Sequence, residues 1–202
     1  MNRQNFLQIV RDRMTTNDCE KDMACVARAY WLAKTVHREE KRNNGERYFE
    51  HCRRVACRLL DRGKTTADGV IIALLHDCLE EGFIPDNVME TLFGKRVSDH
   101  LKTLSKIEIV FAADLSVLSK QRKSDDEYFN AIHEAPRDIR LIKLDDRLDN
   151  LSDMADSWSQ DRARQQRYII ETEKYILPIA RMTDEQSTCE LEKMLNSIKG
   201  GL

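Results

Sequence analysis

Glycine and proline are scarce in this sequence, seven and three in 202 residues, well below average usage of about 7% and about 5%. So few turn formers between long periodic stretches predict helices. A basic excess is also missing. Lysine and arginine total 33 against 35 aspartate and glutamate, a formal net charge of −2. That argues against a nucleic-acid binder, which carries a clear positive surplus, but leaves room for an anionic small molecule held by a local cationic cluster. No apolar run is long enough to cross a bilayer; VIIALL (70–75) is far short of about 20 residues. The N-terminal MNRQNFLQIVRDRM has charges on both sides of its short apolar patch and no cleavage-type sequence, so no signal peptide is expected. Six cysteines (Cys19, Cys25, Cys52, Cys57, Cys78 and Cys189) include no CxxC pair and read as reduced thiols of a cytoplasmic protein. The oligomeric state is left open.

What is present is 41% hydrophobic and 34% charged residues, enough for one soluble domain over residues 1–202. Three-four spacing predicts a helix from Asp22 to about Arg42, stopped by Asn43-Asn44-Gly45, and another from Tyr48 to Leu60, ended by Gly63. Thr65 or Thr66 can cap a third, whose stretch from Val70 to Leu79 is apolar all round and therefore central, with Gly82 and Pro85 ending it. Short helices follow at 88–93 and 96–106. The stretch 107–121 reads either as helix or as a loop-rich excursion. Helices resume at 125–135, 137–158, 160–181 with a bend near Pro178, and from Asp184 or Glu185 to Lys199. The expectation is an all-α bundle. Trp31 and Trp158 read as core, and Lys120 to Lys123 (KQRK) as a solvated loop.

The central stretch ends abruptly: VIIALLHDCLEEG passes from six apolar residues to His76, Asp77, Glu80 and Glu81. Burying charge without a partner costs several kcal/mol or shifts a pKa, so such a cluster needs a counterpart. On one continuous helix His76 and Asp77 point about 100° apart, and Glu80 shares their face at three and four residues' spacing. Imidazole and carboxylate are ligands for Zn²⁺, Mn²⁺ or Fe²⁺. The plainer alternative is a helix-end ion pair with a solvated acidic face. His51 near a helix start, and Asp146 with Asn150 at i,i+4 in LDDRLDN, are likewise ambiguous alone.

Taken jointly, the order H…HD…D resembles the HD superfamily of metal-dependent phosphohydrolases. The resemblance extends, from about Ala27 to Ala180, to the hydrolase domain of the RelA/SpoT homologue family. It rests on His37 with Arg42 and GERY leading to His51, on ALLHDCLEE, on LFGKRVSDHLKTLSK, on IKLDDRLDNL and on the closing RYIIETEKYILPIA. That likeness implies an HD-domain helical bundle, with a motif-bearing core at about 22–182. It implies one Mn²⁺ held by His51, His76, Asp77 and Asp146, and Glu80 and Glu81 as the pair that orients and deprotonates water, Glu80 as base. A glutamate at 81 replaces the family's usual aspartate. The implied substrate is the nucleotide (p)ppGpp, losing its 3′-pyrophosphate, with Arg42, Asn44, Lys106, Lys143 and Asn150 at the nucleotide and His37 supporting the site. Arg147 would brace the metal helix or meet the phosphates. Asn43-Asn44, Arg47 and Asp153 depart from the family's pattern, so another nucleotide (ppApp, or the ribose phosphate of NADPH) and a nucleotide-binding regulatory module are the alternatives. The chain length implies a stand-alone hydrolase with no synthetase attached.

Overall fold

The computed structural model of the protein describes residues 1–81, 84–114, 116–157 and 161–200. In chain order the elements are α1 (Arg3–Arg13), β1 (Met14–Thr15), α2 (Cys19–Val36), α3 (Tyr48–Asp61), β2 (Thr65–Thr66), α4 (Ala67–Leu75), α5 (Cys78–Glu81), α6 (Asp86–Phe93) and α7 (Lys95–Leu104). There follow β3 (Ile107–Phe111), β4 (Val117–Arg122), α8 (Asp125–Glu134), α9 (Arg137–Ser157), α10 (Arg162–Glu171), a π-helical turn (Thr172–Ile176), α11 (Leu177–Thr183) and α12 (Glu185–Gly200). The all-α expectation holds, with two small two-stranded sheets added.

Helix α4 sits at the centre because its sequence leaves it no polar face. Val70 to Leu75 are each at most 2% exposed, and the helix packs against α2, α3, α7 and α9. Each such aliphatic side chain contributes about 1.5–3 kcal/mol by leaving water. Thr66 starts the helix, its hydroxyl accepting the Gly69 N–H at 3.3 Å. Buried residues from Phe6 to Ile198 join one apolar cluster around it. No helix among the described residues is long and apolar enough to cross a membrane.

Several expectations need correction. Arg3–Arg13 is a helix whose Phe6 and Val10 enter the core, and it follows the same spacing rule that finds its neighbours. The stretch after Lys106 is neither helix nor loop but an antiparallel hairpin, β3 pairing β4 from Ile107 opposite Arg122. Period two explains it: Ile107, Ile109 and Phe111 are half-buried while Glu108 and Val110 are exposed. Lys120, Gln121 and Arg122 therefore lie on an exposed strand instead of a loop. Trp31 is 48% exposed, not core, with Arg3 and Lys34 against its ring. Trp158 and Gly82 lie outside the described residues. Where the sequence predicts a bend near Pro178, the structure has a π-helical turn just before it, with the Leu177 N–H reaching back to the Thr172 carbonyl. Proline has no N–H to continue the ordinary ladder, so the register widens just before it.

Candidate metal centre

Three elements deliver the site. His51 stands on the first turn of α3, Asp146 midway along α9, and His76 and Asp77 follow the last residue of α4. The sequence predicts one helix through 79, but the chain breaks at His76-Asp77. The His76 Nδ1 takes up the Ala73 carbonyl at 2.9 Å, one of the acceptors a helix C-terminus leaves over. The Asp77 carbonyl then accepts from the Glu80 and Glu81 N–H groups and opens the short α5. Glu80 consequently does not share a continuous helix face with His76.

The four side chains converge. His51 Nε2 lies 3.2 Å from His76 Nε2, 3.3 Å from Asp146 Oδ1 and 3.7 Å from Asp77 Oδ2. His76 Nε2 lies 3.0 Å from Asp77 Oδ2 and 3.7 Å from Asp146 Oδ1. The imidazoles and Asp146 are buried, whereas the Asp77 side chain is 25% exposed and marks the open side.

These residues fit a divalent cation. The Nδ1 atom of His51 meets Asp149 Oδ2 at 2.7 Å, and that of His76 meets a carbonyl. Both partners only accept, so each Nδ1 carries the hydrogen and each Nε2 presents a lone pair. With both imidazoles neutral, as a bound cation requires, two lone pairs and the carboxylate oxygens are available to it. Bonds of about 2.1 Å at right angles would space neighbouring ligand atoms by about 3 Å, in line with the shorter separations. The electrostatics agree. Burial pushes the His76 imidazole down, but the Asp77 and Asp146 carboxylates outweigh it and hold its pKa well above the usual value. Burial opposes ionisation of Asp77 and Asp146 too. His76 draws Asp77 down, and Lys143 with the two imidazoles draws Asp146 far down. The pocket favours positive charge.

Around this centre the carboxylates are held on every side. Tyr48 donates its hydroxyl to Asp77 Oδ2 at 2.8 Å, and Lys143 and Asn150 donate to Asp146 at 2.7 and 2.6 Å. His37 is buried against the Tyr48 ring, with Nδ1 on Glu40 at 2.8 Å. Arg42 is buried, reaching Asn150 Oδ1 at 2.8 Å and Asp153 Oδ2 at 3.2 Å. Gly45, at φ +84°, lets the preceding loop double back so that Arg42 points inward. Asn44 stays exposed at that turn, its side chain accepting the Glu46 N–H. Glu80 does not reach the four-residue cluster by any hydrogen bond described; its Oε1 accepts from the Ser105 hydroxyl and the Lys106 N–H. Glu81 is exposed, and burial followed by repulsion from Glu40, Asp77 and Glu80 raises its carboxyl pKa. Lys106 lies over the Phe129 ring with Nζ on Glu171 at 2.7 Å, and Glu171 also binds Arg147.

Sequence reasoning passes over three members of this arrangement. Asp149 also binds Arg54 at 2.6 Å, Tyr48 orients Asp77, and Glu171 pairs two cations. The available signal was spacing: Asp149 falls one helical turn after Asp146, and Tyr48 one turn before His51. Nothing local marks Glu171.

The helical bundle thus gathers His51, His76 and Asp77 into one cluster of metal-ligating side chains, with Asp146 against both imidazoles. The sequence profile described as HD domain matches residues 29–181. This chain belongs to the HD-domain family. It is 33% identical over 155 residues to the guanosine-3′,5′-bis(diphosphate) 3′-pyrophosphohydrolase of Aquifex aeolicus, across 77% of this chain and 21% of that protein. It is 31% identical over 178 residues to the bifunctional (p)ppGpp synthase/hydrolase SpoT of Escherichia coli, across 87% of this chain and 24% of that protein. The chain therefore spans about a fifth to a quarter of the length of these relatives. Among solved structures, a metazoan ortholog of SpoT that hydrolyzes ppGpp superposes with a TM-score of 0.69 at 22% identity, covering 86% of this chain and 95% of that one. At that identity the likeness speaks for the fold.

Proposed function

We propose that this protein is a manganese-dependent phosphohydrolase that removes the 3′-pyrophosphate of (p)ppGpp, returning GDP or GTP. The observation that carries the reading is the convergence of His51, His76, Asp77 and Asp146, buried on three sides and open beside Asp77. The named activities of the relatives support the substrate. Two imidazoles and two carboxylates suit a borderline divalent ion such as Mn²⁺. Such an ion, when bound, supplies an acidified water and a counter-charge for the phosphoryl oxygens.

The chain's own residues do the rest. Tyr48, Lys143 and Asn150 fix the carboxylates that would hold the ion. Glu80, anchored by Ser105 and Lys106, is the proposed base, held in place to orient and deprotonate water. Glu81 is proposed as the second member of the carboxylate pair that orients the water. Arg42, Asn44, Lys106, Lys143 and Asn150 are the proposed nucleotide-facing residues. Arg42 supports this through Nη1, which is buried without a hydrogen-bond partner among the described residues. We also propose that residues 1–202 act as one hydrolase domain, in keeping with the single apolar cluster from Phe6 to Ile198, and that they meet this substrate in the cytoplasm.

The test is a turnover assay with Mn²⁺ on ppGpp, ppApp and NADPH. Release of pyrophosphate from ppGpp in preference to the others is expected. Metal-loaded protein that leaves ppGpp untouched overturns the reading. Glu80→Gln should cut turnover by about 10²-fold or more at unchanged metal content, the size typical of a lost general base.

A further inference from the structure

The inward face of α9 carries Lys143, Asp146, Asp149, Asn150 and Asp153 at three- and four-residue spacing. Asp146 and Asp149 are accounted for by the metal centre and His51. Asp153 is 7% exposed and lies two helical turns beyond Asp146. It binds Arg42, whose Nε and Nη2 both lie 3.2 Å from Asp153 Oδ2.

The Arg42 guanidinium can only donate, so it dictates how its next neighbour stands. Asn150 must turn its oxygen toward Nη2, 2.8 Å away, and its NH₂ group then faces Asp146 Oδ1 at 2.6 Å. That Oδ1 is the oxygen lying 3.3 Å from His51 Nε2 and 3.7 Å from His76 Nε2. A continuous line of hydrogen bonds thus runs from Asp153 through Arg42 and Asn150 to a ligand oxygen. Were Arg42 to move, the Asn150 amide could rotate and set oxygen against oxygen at Asp146. A competing pull comes from Asp149, whose Oδ2 lies 3.7 Å from Arg42 Nη1. Without Asp153 the cation would swing toward Asp149 and draw on the carboxylate that holds His51.

We propose that Asp153 is a positioning residue for the metal centre, fixing Arg42, through Arg42 the amide of Asn150, and through Asn150 the ligand oxygen of Asp146. The proposal rests on the reading of this cluster as a divalent-metal site, but not on the identity of the nucleotide. It also makes the site's outer carboxylate a substrate-independent control on metal affinity.

Calorimetric titration of Mn²⁺ into chelator-treated protein tests it in four forms: wild type, Asp153→Asn, Arg42→Gln and the double variant. Partners of metal ligands usually change affinity by 10–100-fold, so a residue two contacts further out should weaken binding by about tenfold. In the Arg42→Gln background the Asp153 substitution should add nothing, because the relay is already cut. Turnover of Asp153→Asn at low Mn²⁺ should fall and recover as Mn²⁺ is raised, which damage to the fold would not do. If Asp153→Asn leaves the buried Arg42 too poorly compensated to fold, Asp153→Glu keeps the charge, displaces the carboxylate, and is read the same way. Mn²⁺ affinity within twofold of wild type, or an equal loss in both backgrounds, overturns the proposal. Wild-type protein inactive on ppGpp counts against the substrate reading instead, and the calorimetric cycle still decides this one.

Discussion

Replacing Asp149 by asparagine isolates one outer support of the metal centre. The carboxylate is buried and accepts from His51 Nδ1 at 2.7 Å and from Arg54 Nε and Nη2 at 2.6 and 3.0 Å. Burial raises its pKa, but His51 and Arg54 outweigh burial and hold it well below the usual carboxylate range. An asparagine of the same shape has one acceptor oxygen. If that oxygen keeps His51, the NH₂ group confronts the Arg54 donors. Hydrogen bonds to charged groups contribute about 1.5–3 kcal/mol. The Arg54 side chain is 38% exposed and keeps Glu46 at 2.6 Å, so it can turn partly to water. The expected loss for the metal-free fold is therefore at the low end, about 1–2 kcal/mol. At about 2–4 °C per kcal/mol for a chain of this size, Tm falls by roughly 2–8 °C. The metal loses more, because His51 no longer has a carboxylate to set its orientation and raise its basicity. Mn²⁺ affinity should drop 10–100-fold, or about 1.4–2.7 kcal/mol. Calorimetric titration beside a thermal scan of the metal-free form separates the two. A lowered Tm with Mn²⁺ affinity within twofold of wild type would show that packing alone orients His51, and would refute the reasoning.

Metal removal and acid give two further expectations. Mn²⁺ at about 100 times its Kd should stabilise the fold by about 2.7 kcal/mol and raise Tm by about 5–10 °C, an effect reversed by chelator; no shift would mean that the cluster does not hold the ion. Burial alone would raise the Glu171 carboxyl, but Arg147 and Lys106 bring it down to about 2. A depressed folded pKa contributes stability above the ordinary glutamate value of about 4.3, and that contribution fades as pH falls toward about 2. Glu171→Gln should therefore lower the urea midpoint at pH 7 and differ progressively less from wild type between pH 4 and pH 3. An equal gap at all three pH values would argue against the ion-pair account.

Much of this site is legible before folding because its signals are local. VIIALL can only be central, since no turn of it offers water a polar face. His51, His76, Asp77 and Asp146 stand out by motif order, and the structure draws them to one point. The orientation of Glu80 was not legible. Its assignment to a shared helix face assumes a helix that runs through His76, and the His76 ring instead satisfies the Ala73 carbonyl where the helix stops. The hairpin at 107–122 was obscured by the same limitation, because a short apolar run has helical and extended readings until something packs on one face.

The sequence by itself determines a helical protein with a buried central segment and a set of histidines and aspartates of metal-binding type. Which atom of each histidine faces the ion is decided only in three dimensions, because Asp149 and the Ala73 carbonyl must first claim the Nδ1 hydrogens. The same holds for Arg42, 111 residues from Asp153 in sequence. Spacing along a helix encodes which residues share a face, but only packing between helices decides which buried cation meets which carboxylate.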